Sequence, residues 1–164
     1  MSCYRDARYG FELDYPVDWR MSTPGLFARS WDLLTGSGCV MTLRGPDMRH
    51  LNLVAGPQIA THSMETFRAE FTGYANRRWG RAAPAFESLS IDGVEHFAAV
   101  YETPLGFAKK YSVVTPRRVE LAFTALLSVR NSEASRAGLE RREAEYDAIV
   151  CSVRYSGGRH GTVR

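Results

Sequence analysis

Four histidines, three cysteines and a scatter of carboxylates are the side chains with which this 164-residue chain could do chemistry. The histidines fall at 50, 62, 96 and 160, and no His-Glu-x-x-His spacing joins any two of them into a zinc-binding helix face. His62 stands beside Ser63 just before a predicted helix, which places it at a helix N-terminus. For all four we expect satisfied surface histidines rather than catalytic ones. Cys3, Cys39 and Cys151 are odd in number and show no Cys-x-x-Cys spacing, which argues against both a disulfide framework and a structural zinc site. Cys39 and Cys151 lie in predicted strands and read as buried, inert thiols. Asp14 and Asp18 flank Pro16, so their separation is not set by one element and no acid–base pair follows. There is no Gly-x-x-x-x-Gly-Lys loop and no Gly-x-Ser-x-Gly elbow, and the run GSGC at 36–39 reads as a hairpin turn. The expectation is a protein with no catalytic residues, no metal ligands and no cofactor, hence not an enzyme.

The totals fit one ordinary domain. A chain this long buries roughly two-thirds of the surface its unfolded form exposes, enough for a core without metals or cross-links. It is 45% hydrophobic and 24% charged, the balance of a globular protein. Lys109 and Lys110 are the only lysines, and the net charge is +3. The arginine pairs 77–78, 117–118 and 141–142 are dispersed and read as solvated surface, so no nucleic-acid partner is expected. No 18-residue apolar run exists and the first residues are polar, from which we expect no membrane insertion and a cytoplasmic location.

The elements that must carry these residues follow from periodicity. Residues 9–15 alternate, with Phe11, Leu13 and Tyr15 on one side and Glu12 and Asp14 on the other, and Pro16 stops the strand. Short strands are predicted at 19–21, 26–33, 39–44 and 51–55, separated by turn residues at 35–38 and 45–47. From 63 to 79 the apolar marks Met64, Phe67, Phe71, Tyr74 and Ala75 recur at three and four, a helix with one buried stripe. Ser63 or Thr61 can cap it, and Gly80 and Pro84 end it. Strands resume at 86–91, 94–103, 107–115 and 119–127. Asp92-Gly93 is the strongest hairpin signal in the chain. A second helix is predicted from 132 to about 149, a short strand over 150–155, and a small polar tail over 156–164. We therefore expect a single domain over 1–155, an α+β fold of meander, helix, meander, helix and closing strand.

The run YGFELDYPVDW at 9–19 resembles the opening of PsbP-like domains, a tyrosine-glycine-aromatic strand ending in Tyr-Pro with a tryptophan shortly after. LNLVAGP resembles the strand before that family's first helix, and FESLSIDGVEHFAAVYE its central hairpin. VELAFTALLSV and YDAIVCSVRY resemble its penultimate strand and its closing helix and strand. The resemblance covers about residues 4–155. It implies a three-layer α/β/α sandwich around a central antiparallel sheet, with Trp19 in the core. It also implies a non-catalytic role, because members include an extrinsic photosystem subunit, a Ran-binding import cofactor and Eag-type secretion chaperones. Their common thread is binding another macromolecule. The lipobox of the family's lipoproteins is missing, and no branch's partner-binding motif maps onto this chain.

The sheet faces supply candidate binding residues. With an assumed register, Phe97, Ala99 and Tyr101 share an apolar face with Tyr111, Val113, Leu121, Phe123 and Ala125. The opposite face then carries His96, Ala98, Val100 and Glu102 beside Lys110, Ser112, Glu120 and Ala122. Its charges His96, Glu102, Lys110 and Glu120 are either cross-strand pairs or the orienting groups of a shallow groove. Trp79 beside Arg78 ends the first helix, either as a plug or as an interface anchor. The function expected is an adaptor or accessory domain that docks on another protein. The alternative is a domain holding a small ligand or lipid on the mixed sheet face, in a pocket lined by Ala98, Val100, Ser112 and Ala122.

Overall fold

A computed structural model describes residues 1–24, 38–58, 61–79, 84–104, 106–128 and 136–155, and the side chains of all of these except 77–79. Ten strands and two helices are described: β1 (Ser2–Asp6), β2 (Phe11–Tyr15), β3 (Arg20–Ser22), β4 (Gly38–Arg44), β5 (His50–Pro57), α1 (Met64–Trp79), β6 (Ala85–Ile91), β7 (Val94–Thr103), β8 (Gly106–Val114), β9 (Val119–Leu126), α2 (Arg136–Cys151) and β10 (Arg154–Tyr155). The strand expected at 26–33, the turn at 35–37, the start of the second helix at 132 and the tail at 156–164 lie outside the described residues.

Seven strands form one antiparallel sheet in the order β3-β4-β5-β9-β8-β7-β6. β1, β2 and β10 form a separate three-stranded sheet. That separation corrects the expectation of one opening meander, and β1 itself was not expected. It is a short edge strand whose residues alternate between exposed and half-buried, so it shows no apolar run. The closing strand also shrinks. Val150 and Cys151 belong to α2, and only Arg154–Tyr155 pairs with β2. Cys151 is therefore exposed at a helix end rather than buried in a strand.

Local chemistry explains the joints. Ser63 Oγ accepts the Thr66 N–H at 3.2 Å and caps α1, with Glu65 in the first turn at the positive end of the dipole. Asp92 and Gly93 both take positive φ, 51° and 75°, the two-residue turn that matches strand twist. Trp19 lies edge-on to Tyr146 of α2, with ring centroids 5.7 Å apart. Its indole N–H donates to Glu145 Oε1 at 3.1 Å. Gly45 lets the indole approach, since a Cβ there would sit 2.5 Å from Trp19 Cε2.

Each face of the large sheet has its own core. Phe67, Phe71 and Ala75 of α1 pack on Phe97, Ala99, Tyr101 and Ala108. On the other face Tyr146, Ile149 and Val150 of α2, together with Phe11 and Leu13 of β2, join Tyr111, Val113, Leu121 and Phe123. The result is helix, sheet, helix, with the small sheet sharing the α2 layer. Tyr74, expected in the buried stripe of α1, is exposed.

Candidate functional site

Register decides which polar groups meet. The β7–β8 hairpin pairs Thr103 with Gly106, and the ladder continues to Phe97 with Ser112. Partners therefore have opposite parity, so Phe97, Ala99 and Tyr101 share a face with Ala108, Lys110 and Ser112 rather than with Tyr111 and Val113. This corrects the assumed register by one residue, and such a slip turns every side chain of a strand over. His96 and Glu102 lie on the α2 side, whereas Lys110 and Glu120 lie on the α1 side. The four do not form one mixed face. The pocket expected from Ala98, Val100, Ser112 and Ala122 does not form either, since Ala98 and Val100 point away from Ser112 and Ala122. Trp79 and Arg78 close α1, and their side chains are outside the described set.

On the α1 side Lys110 is half-buried, its ammonium 5.8 Å from the Phe71 ring centre and 5.5 Å from that of Tyr74. Glu120 accepts the Ser112 hydroxyl hydrogen bond at 2.7 Å. Glu120 and Ser112 line a cleft of about 200 Å³ at the N-terminus of α1, together with His62, Ser63, Thr66 and Glu70.

His96, across the sheet from this cleft, is fully buried beside His62, which corrects its reading as a surface residue. The Val114 N–H points at its Nδ1 from 3.3 Å, and His62 Nε2 lies 3.2 Å from the same atom. Two donors can share that nitrogen only if it carries no proton, so the hydrogen sits on Nε2 and points to Tyr155 Oη at 3.3 Å. The Tyr155 hydroxyl in turn donates to the Val114 carbonyl at 3.3 Å. Burial, with His62 beside it, lowers the His96 pKa to about 4. Burial also lowers that of His62, opposed by Glu120 and Glu95. The pair is a neutral, donor-saturated hinge between α1, β7, β8 and β10.

On the α2 side lies a group that sequence reasoning missed. Lys109 is completely buried. Its ammonium meets Glu143 Oε1 at 2.8 Å, Asp147 Oδ1 at 2.9 Å and Glu87 Oε1. Burial alone would lower the lysine pKa, but the hydrogen bonds to Glu143, Glu87 and Asp147 outweigh it and raise it. Asp147 also accepts the Tyr111 hydroxyl at 2.7 Å. The three carboxylates converge as metal ligands would, and the lysine ammonium fills their centre. The only sequence signal was the Lys109-Lys110 doublet itself. Adjacent strand residues face opposite ways, so one of two consecutive lysines had to point into a core.

Cys39 of β4 is half-buried, with Sγ 3.4 Å from Asn52 Oδ1. Asp14 is bound bidentately by Arg154 at 2.6 and 2.9 Å, and that pairing lowers its pKa. It therefore stays an ionised tether for β10.

The sheet order, the flanking helices and the small accessory sheet define an α+β sandwich of the PsbP-like fold. The chain superposes on the solution structure of cyanobacterial PsbP from Synechocystis sp. PCC 6803 with a TM-score of 0.60, covering 94% of this chain and 91% of that one at 14% identity. No protein-family model matches the sequence, and no curated protein matches it. Among the described residues, no helix is long and apolar enough to cross a membrane.

Proposed function

We propose that the protein is a non-catalytic adaptor or accessory domain whose work is to dock on another protein. The observation that carries this reading is how the buried reactive side chains are used. Lys109 is held by three carboxylates, His96 by two donors and a tyrosine, and Ser112 by Glu120. Each fastens one element to another, and a group so engaged is a poor nucleophile or proton carrier. The likeness in fold to cyanobacterial PsbP adds support. Three unpaired cysteines are consistent with the reducing cytoplasmic setting that the reading includes. The test is an affinity capture of tagged protein from host lysate, with an R78A/W79A double variant alongside. A stoichiometric protein partner is expected, and its loss in the variant locates the surface at the end of α1. Capture of nothing by either sample refutes the reading.

A second reading has one observation behind it. A groove of about 590 Å³ runs along the α1 side of the sheet, lined by Tyr101, Thr103, Pro104, Ala108, Thr124 and Leu126. Its lining is mainly apolar, which suits a small hydrophobic ligand or an acyl chain. Native mass spectrometry of freshly purified protein tests it. A persistent extra mass released by organic solvent supports the ligand, and the bare mass alone refutes it.

A further inference from the structure

Among the described residues the large sheet ends on β6, and no strand pairs with its outer edge. Its seven residues pair with β7 without a bulge, from Ala85 with Val100 to Ile91 with Val94. Among the described residues no backbone group of β6 bonds to anything outside that ladder. Exposed edge strands are usually guarded by shortness, a bulge, a proline, charged side chains or a covering element. Among the described residues β6 has one of these, the single charge of Glu87, whose carboxylate turns to Lys109 and leaves the backbone edge uncovered. The opposite edge, β3, has only three residues.

Two surfaces flank the open edge. On the α1 side Phe86 packs against Phe67 and Phe71, with the exposed Arg68 guanidinium 5.4 Å from its ring centre. On the α2 side stand Glu87, Glu143 and Asp147, whose side chains are 44%, 31% and 41% exposed. Lys109 is the only cation that touches them among the described residues, so the site carries an excess of two negative charges facing solvent beside the edge. A strand added to β6 would lie about 4.8 Å away, with alternate side chains over each flank.

We propose that β6 accepts an extended, basic segment of a partner protein as an eighth strand, with lysine or arginine at alternate positions over the acidic flank and small or apolar residues beside Phe86. The proposal rests on the protein-docking reading and names its surface. Backbone hydrogen bonds would supply the affinity, and the carboxylates would select the charge. The same charges disfavour a second copy of this chain. Antiparallel self-pairing centred on Ser88 sets Glu87 diagonal to its symmetry mate, roughly 7–8 Å away, and brings two acidic clusters together.

The test uses the whole protein and three labelled nine-residue peptides. The first alternates lysine with valine or threonine, the second has glutamate for lysine, and the third is the lysine peptide N-methylated at alternate residues. Binding is read by fluorescence anisotropy and located by backbone amide shifts. The lysine peptide is expected to bind at least about ten-fold more tightly than either of the others, the contrast with glutamate shrinking in high salt. Amide shifts should centre on residues 85–91. Ser88→Lys, an exposed substitution that leaves the core intact and guards the edge, should weaken binding by a similar factor while the circular dichroism stays unchanged. Equal binding of lysine and glutamate peptides, indifference to N-methylation, no binding at about 1 mM, or shifts at the α1 cleft instead would each overturn the proposal. So would a concentration-dependent dimer that protects β6 amides. A protein captured from lysate that the lysine peptide does not displace would overturn the edge while leaving the docking reading standing.

Discussion

Acidification between pH 7.5 and 5 should weaken the fold through His96 in particular. In the folded chain its pKa lies near 4, because the ring is buried and faces His62. In the unfolded chain it returns to 6.5. The folded value is the lower one, so the unfolded state takes up the proton first and stability falls with pH. The contribution is complete above about pH 7.5 and fully lost only below about pH 3, roughly 3 kcal/mol in all at about 1.36 kcal/mol per pH unit. At pH 5 the unfolded ring is almost fully protonated and the folded ring only about one-tenth so, which sets the loss there at about 2 kcal/mol. Geometry gives the same sign, since a proton on Nδ1 would confront both the Val114 N–H and His62 Nε2. The assay is urea unfolding of the wild type and of His96→Asn at half-unit steps from pH 7.5 to 5. The asparagine carboxamide oxygen replaces Nδ1 as acceptor but does not titrate. The variant should be less stable at pH 7.5 and show a drop smaller by about 2 kcal/mol. Parallel curves for the two proteins would refute the reasoning, because His62 and His50 titrate in both.

Replacing Lys109 by methionine leaves Glu87, Glu143 and Asp147 facing one another without their cation, and should cost about 3–5 kcal/mol, read from the denaturation midpoint. Gly45→Ala drives a methyl into the Trp19 ring and should cost about 1–3 kcal/mol, with a changed tryptophan emission spectrum as the specific sign. Phe71→Ala empties the centre of the α1 core, where it meets Phe67, Phe86 and Tyr101; a loss of about 3–5 kcal/mol and faster amide exchange in α1 ahead of α2 are expected. If α1 and α2 exchange together in that variant, the two cores are not separable.

The sequence by itself determined the elements of this protein. Strand alternation at Phe11 and Leu13, the three-and-four spacing of Phe67, Phe71 and Ala75, the Asp92-Gly93 turn and the Ser63 cap are local effects. Each depends on a backbone period or a turn geometry within a few residues, so one chain read in order displays them. The resemblance of the 9–19 run and the later strands to PsbP-like domains extended that to the fold. The tertiary structure alone decided which side chains meet. The two-residue closure from Thr103 to Gly106 fixed the parity of β7 against β8. That parity sent His96 to one face and Lys110 to the other, and turned Lys109 into the core. Hydrophobicity could not foresee this, because a lysine inside is stable only when distant carboxylates from β6 and α2 converge on it. The pairing of His62 with His96 likewise spans 34 residues, and the open edge at β6 exists only because no later strand returns to cover it among the described residues. Periods and turns are set by neighbours along the chain, whereas faces, partners and edges are set by which strands lie side by side.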